Sequence, residues 1–163
     1  MSKVVYNVLK LSVYRPLFHA LRVLIIGTGA VGSYLMEFFA KMGLSPDGMD
    51  FDHLTLENAA KHSCLVRTPE DAGRNKAECV ADRVQPLLDD GCSSNGINGD
   101  LCLLGPEAFA DYSYIVVAVD NYDAKVLLNE LIRQLPEDRR PIIIMAGTHD
   151  EMAESVILDN TES

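Results

Sequence analysis

Three glycines near the start of the chain have the spacing of a phosphate-binding loop. Gly27, Gly29 and Gly32 form G-x-G-x-x-G between a run of branched apolar residues and a stretch of helical periodicity. Positions without a side chain allow a tight turn, a close approach of phosphate to the backbone, and close packing of helix on sheet. The amides that open the following helix favour an anion. The loop therefore predicts a nucleotide-binding site, and leaves open which nucleotide binds and for what chemistry.

Charged residues farther along predict contacts with the sugar and the phosphates. Asp50 follows the third glycine at the distance where a carboxylate binds a ribose hydroxyl pair. Its alternative role is to cap the turn that follows, and Asp52 fits either interpretation. Lys61 and Lys76 are candidates to bind a triphosphate, because lysine binds phosphate as a point charge; a lone lysine is otherwise a solvated surface charge. Lys76 opens a helical pattern, where the helix dipole disfavours a cation, and this hints at another use.

A third polar cluster, V-D-N, closes a later apolar run. A carboxylate at Asp120 would face the phosphates and hold Mg²⁺ through oxygen ligands. The alternative is that Asp120 or Asn121 caps the next helix, since both residue types are good caps. Asp123 lies nearer that helix and is expected to cap it instead. This leaves Asp120 and Asn121 as candidate nucleotide contacts.

The elements that carry these residues alternate between strand and helix. This alternation predicts a Rossmann-like α/β fold, a mostly parallel sheet with helices on both faces. Nucleotide sites in such sheets lie beyond the carboxyl ends of the strands, so the three polar clusters should meet at one edge. The predicted strands are Leu21–Ile26, Met49–Phe51, Ile97–Leu103, Tyr114–Val119, Pro141–Ala146 and Glu154–Leu158. The predicted helices are Ala30–Met42, Asn75–Leu88 and Ala124–Leu135, the last with Val126, Leu127, Leu131 and Leu135 facing inward, and the segment Asp89–Gly99 is expected to be a loop.

Residues 1–21 are expected to form an N-terminal extension, with an edge strand or dimer-forming strand over Val4–Tyr14. Residues 22–163 are expected to form one nucleotide-binding domain.

Composition excludes several other classes. The 163 residues carry a formal net charge of −10, which repels a nucleic-acid backbone. No apolar run is long enough to span a membrane, and the first residues lack the pattern of a secretory leader. The four cysteines form no C-x-x-C pair, so we expect reduced thiols in a cytoplasmic protein rather than disulfides or zinc.

Taken together, the motifs resemble the ThiF/MoeB/HesA family, the adenylation domains related to ubiquitin-activating enzymes. The resemblance runs from about Arg22 to about Gly147. Each motif is weak alone, but the combination is specific. The matching pieces are G-T-G-A-V-G (Gly27–Gly32), D-F-D (Asp50–Asp52), E-N (Glu57–Asn58), A-G-R-N-K-A (Ala72–Ala77) and V-D-N (Val119–Asn121).

This resemblance implies that Mg-ATP activates the C-terminal glycine of a ubiquitin-like or sulfur-carrier protein. The carboxylate would attack the α-phosphorus to give an acyl-adenylate and pyrophosphate. By position, Asp50 would bind the ribose, while Asn58 and Lys61 would approach the phosphates. Lys76 would stabilise the departing pyrophosphate, and Asp120 would hold Mg²⁺. The resemblance also implies a homodimer.

Three departures from the family pattern keep alternatives open. Lys61 stands where members usually have arginine, which binds bidentately as lysine does not. The family's N-terminal arginine has no clear equivalent, because Arg15 lies too close to the first strand. The chain also ends soon after the Pro141–Ala146 strand, where members continue. We therefore expect a fragment of a longer enzyme or a reduced, non-catalytic nucleotide-binding module. An NAD(P)-dependent oxidoreductase would explain the glycine loop and Asp50 alone.

Overall fold

The computed structural model describes residues 15–56, 69–149 and 152–158. Its helices and strands alternate as the sequence predicts. The strands are β1 (Arg22–Ile26), β2 (Ser45–Asp50), β3 (Gly96–Asn98), β4 (Tyr114–Val117), β5 (Ile142–His149) and β6 (Met152–Leu158). The α-helices are α1 (Arg15–Phe18), α2 (Ala30–Met42), α3 (Lys76–Val84) and α4 (Tyr122–Arg133), and short 3₁₀ turns cover Pro69–Asp71, Gln85–Leu87, Leu101–Leu103, Pro106–Phe109 and Glu137–Arg139.

The strands form one sheet in the order β3-β2-β1-β4-β5-β6. Strands β1 to β5 run parallel to their neighbours, and β6 pairs antiparallel with β5 at the edge. Chain order reverses direction between β1 and β4, which is the switch point where doubly wound sheets bind ligands. Ile26 lies level with Met49 of β2 and Val117 of β4, so these three strands end at the same edge.

Alternate residues of β1 face two separate cores, which confirms helices on both faces. Val23 and Ile25 pack with buried residues of α2 and α3 on one face. Leu24 and Ile26 pack with buried residues of α4 on the other. A strand covered on both sides is apolar at every position, and this is why its sequence is an unbroken run.

The three predicted helices are present, with differences in the residues they bury. Helix α2 matches its predicted bounds, and Gly43 follows it as the C-cap. Helix α3 ends at Val84, four residues before the predicted end, and its buried residues are Ala77, Cys79, Val80, Ala81 and Val84. Helix α4 begins two residues early and buries Leu128 and Ile132, and Leu135, two residues beyond its end, is buried as well. The expectation that Val126 faces inward is wrong, because Val126 is exposed.

Two strands depart furthest from their predicted bounds. The strand expected at Met49–Phe51 begins at Ser45 and ends at Asp50. The region expected as a loop contains β3, and the strand expected over Ile97–Leu103 gives way to a 3₁₀ turn. The physical reason is that both strands contain polar residues and glycine and form only because neighbouring strands pair with them.

The edge strand predicted at Val4–Tyr14 and the E-N motif at Glu57–Asn58 lie outside the described residues. Within the described part of the chain, none of the helices combines the length and apolar character needed to cross a bilayer.

Candidate functional site

The glycine loop joins β1 to α2, and the start of the helix packs directly against the loop. Gly27 has φ of +89°, a left-handed conformation that favours glycine, and its amide donates to the Met49 carbonyl at 2.8 Å. A Cβ atom at Gly32 would lie 1.8 Å from the Gly27 carbonyl oxygen, so a side chain there cannot fit. A Cβ atom at Gly29 would meet nothing within 4 Å. The loop therefore packs tightly at Gly32 and has open space beside Gly29, the N-cap of α2.

Asp50 lies at the end of β2 with its carboxylate against this loop. Oδ2 accepts hydrogen bonds from the Thr28 amide at 2.8 Å and from the Thr28 hydroxyl at 3.2 Å. Oδ1 accepts from the Asp52 amide at 3.0 Å, which is the turn-capping bond considered above. The structure thus brings Asp50 to the glycine loop, and its ribose contact stays a prediction.

Asn75 fastens the D-F-D segment to the start of α3. Its side chain is buried, and Nδ2 donates to the carbonyls of Asp50 at 2.8 Å and Asp52 at 3.1 Å. Its Oδ1 accepts from the Glu78 amide and so caps the helix. Asn75 was not among the residues predicted for the site. The signal was an asparagine three positions before a glutamate at a helix start.

Lys76 is the first residue of α3, as the sequence predicts. Its ammonium lies 2.6 Å from Oδ2 of Asp52, and its amide donates to the Asp52 carbonyl at 2.9 Å. The ion pair offsets the unfavourable position of a cation at a helix N-terminus. Lys76 and Asp52 therefore meet each other beside the site, and neither lines the cavity described below.

The segment after β4 lies against the glycine loop. A Cβ atom at Gly27 would come within 2.6 Å of Val119 Cγ1 and 2.9 Å of the Ala118 carbonyl oxygen. Asn121 caps α4, because its Oδ1 accepts from the amides of Asp123 at 2.9 Å and Ala124 at 3.4 Å. The expectation that Asp123 is the cap is therefore wrong, since the helix begins at Tyr122 and places Asp123 in its first turn.

A cavity of about 270 Å³ opens at the carboxyl ends of the strands. Asp50 and Asn121 line it, together with the turn after β3 and the first residues of α4. Asp120 is exposed and lies outside the lining. The lining residues are Ile26, Gly27, Met49, Asp50, Phe51, Gly99, Asp100, Leu101, Cys102, Val119, Asn121, Asp123, Ala124 and Leu127.

The wall formed by Gly99–Cys102 is a part of the site that sequence reasoning missed. Cys102 is a free thiol at the cavity, and a side-chain hydrogen bond with Asp100 raises its pKa. The thiol is thus protonated at neutral pH and is a weak nucleophile.

Other predicted site residues stay untested by geometry. Asn58 and Lys61 lie outside the described residues. Among the residues that are described, no group of three or more His, Cys, Asp or Glu side chains could hold a metal ion. The Mg²⁺ contact of Asp120 therefore stays a prediction, in which the phosphates of a nucleotide supply most of the ligands.

Solved structures similar to this chain share its fold. Structures of E. coli tRNA N6-threonylcarbamoyladenosine dehydratase, TcdA, superimpose with a TM-score of 0.64 at 23% identity, over 83% of this chain and 57% of that one. The complex of TcdA with AMP matches with the same TM-score, 0.64, at 23% identity, over 83% and 55% of the two chains. This chain therefore spans a little over half the length of those proteins.

Sequence comparison gives the family. Ubiquitin-activating enzyme E1 1 of Candida albicans (strain WO-1) is 28% identical over 121 residues, in an alignment that covers 67% of this chain and 12% of that protein. The model of the ThiF family matches residues 6–148, most of the chain. With its glycine loop, D-F-D segment and V-D-N turn gathered at one edge of a Rossmann-like sheet, the chain belongs to the ThiF family.

Proposed function

We propose that the chain binds ATP at the cavity and adenylates the C-terminal carboxylate of a ubiquitin-like or sulfur-carrier protein. One observation carries the proposal. In a chain of the ThiF family, the glycine loop, Asp50 and the turn after β4 meet at one cavity where the strand order reverses. Ligands bind doubly wound sheets at this position.

The described contacts support a nucleotide in a defined direction. The sugar would reach Asp50, whose carboxylate is already oriented by Thr28 and by the Asp52 amide. The phosphates would take the open space beside Gly29, next to the first amides of α2. Both the helix dipole and the unpaired amides of a helix start favour an anion there.

The proposed reaction is an in-line displacement at the α-phosphorus. An oxygen of the carrier's terminal carboxylate forms a bond to that phosphorus, and the bond to the bridging oxygen breaks, so pyrophosphate leaves with the electron pair. Catalysis then depends on positioning and on neutralising charge. Lys76 would stabilise the departing pyrophosphate, with Asn58, Lys61 and Asn121 as further nucleotide contacts. Mg²⁺ bound through the phosphates and Asp120 would supply additional neutralisation.

The relatives support this proposal in two ways. TcdA has been solved with AMP, which is the nucleotide part that an adenylate retains. The Candida albicans relative is named a ubiquitin-activating enzyme, which favours a protein carboxylate as the substrate. TcdA is named for a tRNA substrate, and the net charge of −10 makes a polyanion of that kind a poor partner for this chain.

We also propose that two copies of the chain form a homodimer, and light scattering measures the mass of the assembly.

Titration calorimetry with ATP and with NAD tests the nucleotide, and ATP–pyrophosphate exchange tests the chemistry, with ubiquitin as the carboxylate probe. We expect ATP binding that Mg²⁺ strengthens, and exchange that Lys76→Ala abolishes. Lys41→Ala is the matched control, because Lys41 is paired with Glu37 on α2 and the variant removes the same charge. NAD binding without ATP binding would contradict the proposal. ATP binding without exchange, with carriers ending in Gly-Gly also silent, would reduce the chain to a nucleotide-binding module.

A further inference from the structure

The ion pair between Lys76 and Asp52 places a cation at the start of a helix, an unusual position for a positive charge. The lysine is 18% exposed and the aspartate 51% exposed, with 2.6 Å between Nζ and Oδ2. The ammonium stands at the first residue of α3, where the helix dipole disfavours it. Asp52 is thus the group that makes this position tolerable for a cation while no phosphate is bound.

The backbone around the pair is built to hold it. Asn75 Nδ2 donates to the Asp52 carbonyl, and the Lys76 amide donates to the same oxygen. These bonds use backbone and buried atoms, so they persist whether or not the two side chains touch each other. The pair can therefore open without loosening the junction of the D-F-D segment and α3.

The pair is also joined to the glycine loop. One carboxylate, that of Asp50, accepts from the Thr28 amide through Oδ2 and from the Asp52 amide through Oδ1. A single side chain thus links the loop expected to hold phosphate to the residue that holds the lysine. A phosphate chain that extends from the loop toward α3 would compete with Asp52 for the same ammonium.

We propose that Asp52 is a built-in competitor of phosphate for Lys76, and that it weakens the binding of nucleoside triphosphates relative to that of monophosphates. This inference rests on the proposed function. Asp52 is a positioning residue: it holds the ammonium until the β- and γ-phosphates take it. A monophosphate does not reach Lys76 and leaves the pair closed. Asp52 therefore lowers the affinity for ATP and leaves that for AMP unchanged.

Titration calorimetry of the full chain with Mg-ATP and with AMP tests the inference in Asp52→Asn. This substitution keeps the size of the side chain and the backbone bonds, and it removes the charge. Because an exposed ion pair is weak, we expect ATP to bind about three-fold more tightly and AMP to bind as before. In a Lys76→Ala background, Asp52→Asn should have no effect on ATP binding, since the ammonium is gone.

Asp82→Asn is the matched control. Asp82 lies on α3, is exposed and is paired with Arg74, so the variant removes an equivalent charge away from the loop. We expect its ATP affinity to equal that of the parent chain. Equal tightening in both variants would assign the effect to overall charge and overturn the inference.

The remaining outcomes separate the two proposals. If Lys76→Ala weakens ATP binding while Asp52→Asn leaves it unchanged or weaker, Asp52 is not a competitor and the proposed function stands. If ATP does not bind, or binds equally well in Lys76→Ala, then the nucleotide role of Lys76 fails and the inference fails with it. Circular dichroism of each variant verifies that α3 is retained.

Discussion

The same substitution by alanine should lower stability at Gly32 and weaken ATP binding at Gly29, although the two glycines are three positions apart in one loop. In Gly32→Ala, the added methyl group would lie 1.8 Å from the Gly27 carbonyl oxygen and 2.9 Å from its carbon. Contacts between unbonded heavy atoms need about 3.5 Å, so helix and loop must separate by more than an ångström. In Gly29→Ala the methyl group meets no atom within 4 Å.

Helix propensity and packing oppose each other at Gly32. Alanine gains about 1 kcal/mol over glycine within a helix. Overpacking of a tight site costs about 1–3 kcal/mol, and a clash with backbone lies at the upper end because no rotamer relieves it. We expect Gly32→Ala to lose about 2 kcal/mol in free energy of unfolding, or about 4–8 °C in Tm for a domain of this size.

Gly29→Ala should instead leave the fold nearly unchanged and weaken ATP binding, because its methyl group enters the space assigned to phosphate. Thermal melts and ATP titrations of both variants measure the two effects separately. A Gly32→Ala chain as stable as the parent would refute the packing argument. A Gly29→Ala chain that binds ATP normally would refute the assignment of phosphate to that space.

Four further predictions concern groups beyond the loop. Tyr112→Phe removes a 3.0 Å hydrogen bond to the buried Asp47 and should cost about 2 kcal/mol in urea unfolding without changing ATP affinity. Burial, followed by the neighbouring Asp47, raises the pKa of Tyr112 above its ordinary value of 10. The free energy of unfolding should therefore fall as the pH rises past 10, and it should fall less in Tyr112→Phe. The same pH profile in both chains would contradict this prediction. Asp71→Asn breaks the 2.8 Å ion pair between the buried Asp71 carboxylate and Arg83, and should lower the free energy of unfolding in urea by about 1–2 kcal/mol. A smaller loss would mean that solvent replaces the ion pair. Because Cys102 lines the cavity, bound ATP should slow alkylation of its thiol, which peptide mass spectrometry measures. Equal alkylation rates with and without ATP would contradict the placement of the nucleotide in this cavity.

The sequence predicted the parts of the site that depend on local signals. The glycine spacing marked the turn between β1 and α2, and the apolar face of α3 marked a helix that begins at Lys76. Asp50 was expected beside the loop because parallel strands end at a common edge, and its bonds with Thr28 confirm that proximity. Its role toward ribose, and the roles of Asn58, Lys61 and Asp120, stay predictions.

Other parts of the fold carried no local signal. Strand β2 reads S-P-D-G-M-D, and its Asp47 is buried because Arg22, Tyr112 and Asn95 all bond its carboxylate. Those partners come from three distant segments. A buried acid of this kind looks like a surface residue until its partners are known.

The amino-acid sequence by itself determined the family motifs, the alternation of strands and helices, and the conformation of the glycine turn. These follow from side-chain size and periodicity over a few neighbouring residues. Only the tertiary structure decided that Asp52 holds Lys76, that Asn75 fastens both to β2, and that Asn121 rather than Asp123 caps α4. Such choices depend on which of several competing polar partners comes within 3 Å, and packing of the whole chain sets that distance.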